Sequence, residues 1–278
     1  MLEGKTANEH TPLTRSAARD ADRGSYQDLN DYEPTMRDLF VAGVRKYTVE
    51  LLGTMLFVFI AITSLHSGER SVLVAALANA IAISTLTASL GHVSGGHFNP
   101  AVTLSVLLGK GMYVHDVLCY VLFQVLGAFA GSIVAWIVFP DGALEKIGGG
   151  VTSVPIVYNL EDIWSTIARA LIVEGLLTFV LCVTCLCVES NDGTIPIGLA
   201  VGLAYFVDIV SGAKLSGVGI NPARTIGSSI TATLFGDKFR QGPWTLWYVY
   251  VAGPFIGSIV AAVTYKAILA RDDRRWLH

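Results

Sequence analysis

The sequence predicts an all-α membrane protein: six transmembrane helices plus two re-entrant half-helices, set out as an inverted repeat. Three observations predict it. Long stretches carry no Asp, Glu, Lys or Arg, among them Ser71 to Gly109, Val117 to Pro140 and Gln241 to Tyr265. The chain as a whole is 53% hydrophobic and only 15% charged, well below the roughly 25% charge of soluble domains. And one motif occurs twice, as Ser94-Gly95-Gly96-His97-Phe98-Asn99-Pro100-Ala101-Val102-Thr103 and as Ser216-Gly217-Val218-Gly219-Ile220-Asn221-Pro222-Ala223-Arg224-Thr225. The two motif asparagines are 122 residues apart.

Along the chain, residues 1–46 read as a cytoplasmic tail. Met1 to Glu33 is polar, rich in Ser, Thr, Asp and Arg, and is expected to be disordered, with no cleavable signal peptide. Met36 to Tyr47 is expected to form a short amphipathic helix leading into the membrane. Spanning a bilayer takes about 20 apolar residues, and six segments qualify, at about 47–66, 71–91, 116–139, 166–188, 194–212 and 243–268. The fifth is interrupted by Asp208. Asn99 to Leu108 and Asn221 to Phe235 are too short to cross. Each begins with Asn as a helix cap and Pro in the first turn, after a Gly-containing loop. The membrane domain is thus residues 47–268, with repeat one at 47–140 and repeat two at 160–268, and residues 269–278 form a short cytoplasmic tail.

The duplication shows elsewhere too. Glu50-x-x-x-Thr54 matches Glu174-x-x-x-Thr178, and Gly127-Ala-Phe-Ala-Gly131-Ser132 matches Gly253-Pro-Phe-Ile-Gly257-Ser258. Three spans per copy force the second copy to insert upside down. The half-helices then enter from opposite faces and point their N-termini at the midplane. Non-helical backbone at that depth persists only where it lines a water-filled cavity, which implies a pore. Arg37, Arg45 and Lys46 before span one, with Arg271, Arg274 and Arg275 after span six, place both termini in the cytoplasm, against Lys238 and Arg240 outside.

A half-helix N-terminus carries roughly half a positive charge, so two facing each other repel cations. The amides of Asn99 and Asn221 can each donate into the lumen. A water accepting from both turns its oxygen toward them and its hydrogens outward, which breaks a proton-donating chain. Carbonyls of Gly95, Gly96 and His97, and of Gly217, Val218 and Gly219, are expected to supply acceptors along the track. Glycine suits such loops because it tolerates unusual φ. Arg224, Glu50 and Glu174 are intramembrane charges, and such charges are functional candidates by default; a salt bridge to a loop carboxylate is the structural alternative for Arg224.

The doubled boxes Asn99-Pro100-Ala101 and Asn221-Pro222-Ala223, Arg224 directly after the second, the two glutamates and the paired Gly motifs resemble the aquaporin (major intrinsic protein) family from about Tyr47 to Ala267. The resemblance implies a passive homotetrameric water channel with one pore per subunit. It implies that Glu50 and Glu174 support the re-entrant loops and that Arg224 belongs to an outer aromatic/Arg constriction. Counting from the family's spacing adds Asn79, 20 residues before Asn99, and Val218, three before Asn221. The fifth-span position is Tyr205 when counted from Gly198 and Ile209 when counted back from Asn221. Tyr205 is favoured, because an insertion of about four residues is better tolerated in a loop than in a span. Asn79, Tyr205, Val218 and Arg224 depart from the strict-water set of Phe, His, Cys and Arg. Conduction of glycerol, urea, ammonia or hydrogen peroxide, in addition to or instead of water, is therefore the alternative. Thr225 stands where glycerol-conducting members usually have Asp, and Tyr250-Val251 where water channels usually have an aromatic pair.

Other classes have weaker support. A coupled transporter can share inverted repeats, but no further carboxylate set suggests coupling ions. A non-conducting membrane tetramer would need a blocked filter. No nucleophile–base pairing, metal-ligand spacing or phosphate loop is visible, so no enzyme activity, cofactor or metal is expected. A net charge of -3 argues against a nucleic-acid partner. Cys119, Cys182, Cys185 and Cys187 all fall in apolar spans and read as packed thiols. His92 could face the cytoplasmic vestibule. The plasma membrane is the expected location, with a faint acidic-leucine sorting resemblance at Glu9 to Leu13; Ser190 and Thr194 are loop hydroxyls open to modification.

Overall fold

In the computed structural model, which describes residues 35–66, 71–140, 143–154, 163–188, 195–235 and 242–270, helices make up every regular element. The polar tail up to residue 34, the sorting-like Glu9 to Leu13, Ser190, Thr194, Lys238, Arg240 and the basic cluster after Ala270 lie outside the described residues. The chain divides between Gly43 and Val44. The first unit contributes the opening turns of a helix, where Met36 and Phe40 are exposed.

That helix, α1 (Met36–Ser64), runs without a break. The expected separate helix over Met36 to Tyr47 falls within it. Next come α2 (Val72–Ser94), the half-helix α3 (Pro100–Lys110) and α4 (Val114–Val138). A link holds the single turn α5 (Ala143–Lys146) and a 3₁₀ turn at Gly148–Gly150. The second half has α6 (Ile163–Val188), α7 (Ile197–Gly212), the half-helix α8 (Pro222–Phe235) and α9 (Val249–Thr264), which ends in a π turn over Tyr265–Leu269.

Five of these helices are long and apolar enough to cross a bilayer. The fifth expected span is α7, which has only 16 residues. It starts after Pro196 and holds Asp208, which is fully buried; neither carboxylate oxygen has a hydrogen bond among the described residues. The sixth span starts later than expected, at Val249, because Pro243 and the positive φ of Leu246 (54°) keep the preceding residues in turns.

The burial pattern suits a bilayer. Ile81, Leu118, Ile172 and Leu176 point outward and are each more than 60% exposed, whereas Glu50, Gln124, Glu174 and Asp208 are fully buried. Each half-helix packs against the third span of the other half, α3 on α9 and α8 on α4. The paired glycines explain how the spans approach. A Cβ on Gly127 or Gly131 would overlap the carbonyl oxygen of Leu51 or Met55, and one on Gly257 would overlap that of Gly175. Backbone therefore lies on backbone, as small residues permit in membranes. These seams lie within one chain.

Gly257→Ala is expected to lower stability by about 1–3 kcal/mol through overpacking. Gly175→Ala, across the same seam, has its nearest atom at 3.5 Å, the carbonyl oxygen of Gly253, and is expected to be tolerated. Thermal unfolding of the two variants in detergent checks the ordering; equal midpoints would contradict this packing.

Candidate pore

The two boxes form helix starts of the same design. Asn99 is extended (φ −156°, ψ 122°), and its Oδ1 accepts from Ala101 N at 2.9 Å, with Pro100 in the first turn. Asn221 Oδ1 accepts from Ala223 N at 3.1 Å and Arg224 N at 3.2 Å. In both loops a buried side chain is held at positive φ just before the asparagine: Phe98 at 48° and Ile220 at 37°. A β-branched residue adopts that region only when its surroundings over-determine it.

Two buried carboxylates supply that determination. Glu50 Oε1 accepts from Ser94 Oγ at 2.7 Å and His97 N at 3.0 Å, and its Oε2 accepts from Phe98 N at 2.7 Å and Gln124 Nε2 at 2.8 Å. Glu174 Oε1 accepts from Gly219 N at 2.9 Å and its Oε2 from Ile220 N at 2.7 Å. Tyr120 and Tyr250 brace the loop starts, each donating its hydroxyl at 2.6 Å, to Ser94 O and Ser216 O respectively. The loops also bind each other. Asn99 Nδ2 donates to Ile220 O and Asn221 Nδ2 to Phe98 O, both at 2.9 Å. Each asparagine caps its own half-helix with its oxygen and holds the opposite loop with its nitrogen.

Beyond the Val218 side of this junction lies a cavity of about 670 Å³, whose lining includes Asn79, Ile209, Val218, Gly217 and Arg224. Three of the four expected constriction residues therefore share it, and from the fifth span Ile209, not Tyr205, lines it. The two are one helical turn apart on one face of α7. Tyr205 lies deeper, with its hydroxyl 3.4 Å from Asn99 Nδ2. Asn79 Nδ2 donates to Ser64 Oγ at 3.2 Å and Ala75 O at 2.8 Å, which leaves Oδ1 to offer the cavity. Arg224 Nη1 donates to Thr152 Oγ1, on the link between the halves. Among the described residues it makes no ion pair.

Gly95 is exposed at the other mouth, Gly96 and Gly219 are buried, and the His97 ring pairs with Thr103 Oγ1 at 3.1 Å. His92 is exposed near that end. Gln124, Tyr120 and Thr152 were not singled out from sequence; each lies in a helix or link without a motif of its own. Cys182 is buried with its thiol 3.7 Å from Ala101 O, Cys185 is buried, and Cys119 and Cys187 are half-buried; none of the four is in a disulfide. Among the described residues no group of His, Cys, Asp or Glu is placed to hold a metal ion.

The sequence profile of the major intrinsic protein family matches residues 39–265. Aquaporin-5 of Sus scrofa is 32% identical over 235 residues, covering 82% of each chain. Aquaporin-8 of Mus musculus is 30% identical over 236 residues, covering 84% of this chain and 85% of the relative. The crystal structure of the aquaglyceroporin from Plasmodium falciparum superposes with a TM-score of 0.68 at 21% identity, over 82% of this chain and 97% of that one. At that identity the likeness speaks to the fold.

Replacing either carboxylate by its amide turns acceptors into donors that face backbone N–H groups. Hydrogen bonds to charged groups are worth about 1.5–3 kcal/mol each. Glu50→Gln and Glu174→Gln are both expected to lower the thermal unfolding midpoint, and Glu50→Gln the more, because Gln124 and Ser94 also depend on it. Midpoints unchanged from wild type would contradict the loop-anchoring role.

Proposed function

The chain belongs to the major intrinsic protein family, a family of channels and not of enzymes, and on that premise we propose that it conducts water passively down osmotic gradients while excluding protons and ions. One observation carries the reading: two half-helix N-termini meet, and their cap asparagines are bonded across the junction. The opposed partial charges repel cations, and the Asn221 amide nitrogen keeps a second hydrogen with which to orient a water. Pore width, lining donors and such barriers decide selectivity in channels.

The outer selectivity ring of this reading is Asn79, Ile209, Val218 and Arg224. It offers one acceptor, one cationic donor and two aliphatic walls. That amphipathic lining supports a second reading, passage of small neutral solutes such as glycerol, urea, ammonia or hydrogen peroxide. The neutral Thr225 after Arg224 favours water as the main permeant. The chain works as a multi-pass membrane protein, in this reading a homotetramer with both termini in the cytoplasm and residing in the plasma membrane.

Proteoliposomes are expected to shrink faster than empty vesicles in a stopped-flow osmotic jump, with no added proton or ion conductance; cation-channel currents in a planar bilayer would refute the reading. Arg224→Val removes the lumenal charge and frees volume, so urea and glycerol flux should rise relative to water. Unchanged solute and proton permeability would argue that Arg224 does not line the path. Mercuric chloride should inhibit the wild type poorly, since Cys182 and Cys185 are buried, and should block Val218→Cys. Strong, reductant-reversible block of the wild type would overturn the placement of Val218 and the cysteines.

A further inference from the structure

Ile209 lines the outer cavity, and Tyr205 stands one turn earlier on the same face of α7. Tyr205 is 3% exposed, and its hydroxyl accepts from Asn99 Nδ2 at 3.4 Å. Its ring packs edge-on against Phe57, with centroids 5.3 Å apart and planes at 73°. Asn99 and Asn221 are 0% and 1% exposed, so a water-sized sphere barely reaches the pair. Each amide nitrogen has two hydrogens. One from each is used on the opposite loop, at Ile220 O and Phe98 O. The second is the one a passing water would accept, and on Asn99 the phenol oxygen stands before it.

A tyrosine oxygen differs from a water in one decisive way: it cannot travel with the column. It is fixed to a rigid ring, and Phe57 backs that ring. We propose that Tyr205 is the specificity-determining residue of the membrane midplane, its hydroxyl standing in for the water that both asparagines would hold and its ring narrowing the lumen there. The proposal rests on the channel reading. Ile209, one turn along α7, belongs to the outer ring, so one helix face supplies a wall at both levels. Transit then requires the phenol to give up its contact with Asn99, and a solute that passes Arg224 meets a second, tighter selection below it.

The test compares wild type, Tyr205→Phe and Tyr205→Val in proteoliposomes, with water and urea as permeants and thermal unfolding as the folding control. Tyr205→Phe removes the hydroxyl and keeps the ring. It should raise water flux roughly three- to tenfold, the factor one neutral hydrogen bond is worth. Tyr205→Val removes the ring as well and should raise the urea-to-water ratio. A tyrosine needed only for packing would give slower flux or a lower unfolding midpoint, never a faster and less selective channel. If Tyr205→Val does not fold, the temperature dependence of water flux decides between wild type and Tyr205→Phe: the wild type should be steeper, and equal slopes overturn the proposal. A wild type that conducts water as fast as both folded variants, with the same urea ratio, also overturns it and leaves the channel reading intact. If neither wild type nor variants conduct water or urea, the channel reading falls and the proposal with it.

Discussion

Two carboxylates inside the bilayer hold this structure's central feature in place. Burying an ion in so apolar a setting is costly unless the charge is fully hydrogen-bonded. Glu50 and Glu174 meet that condition by accepting the backbone N–H groups of the re-entrant loops. The exchange is mutual: the loops would otherwise leave donors unsatisfied at membrane depth, and the carboxylates would otherwise be unpaired. The positive φ of Phe98 and Ile220, the aim of Asn99 and Asn221 and the alignment of both half-helices all follow from that fixation.

Much of this was legible in the sequence because intramembrane polarity is rare. A glutamate in an apolar run, repeated at nearly the spacing of the Asn-Pro-Ala boxes, announces a partner even before the partner is known. The glycines of α4 and α9 were equally legible, although only the structure showed that their seams lie within the chain. What the sequence left open was register. Tyr205 and Ile209 differ by one turn, and no periodicity tells an added helical turn from an added loop turn. The contact of Arg224 with Thr152 was likewise out of reach, because it joins segments distant along the chain.

The two halves repeat the anchoring scheme but not its use. Arg224 follows the second box, where the first has Val102. Only the Arg224 side opens into the cavity lined by Asn79, Ile209 and Val218. The Gly148–Gly150 link and Thr152 reach that side and give the guanidinium its partner. At the junction the symmetry breaks again, since Tyr205 contacts Asn99 from α7. A duplicated scaffold thus differs between its halves where the cavity and the Asn junction lie.

The central claim is that the two loops hold one another as a single unit. A double-mutant cycle on Asn99→Ala and Asn221→Ala, read as thermal unfolding of the purified protein, tests it most directly. Each asparagine bonds the loop that carries the other, so the first substitution already removes part of what the second would cost. The account predicts a double variant less destabilised than the sum of the two singles, with a coupling of about 0.5–3 kcal/mol. Strict additivity would contradict it, because the two boxes would then be independent helix caps that happen to lie close together.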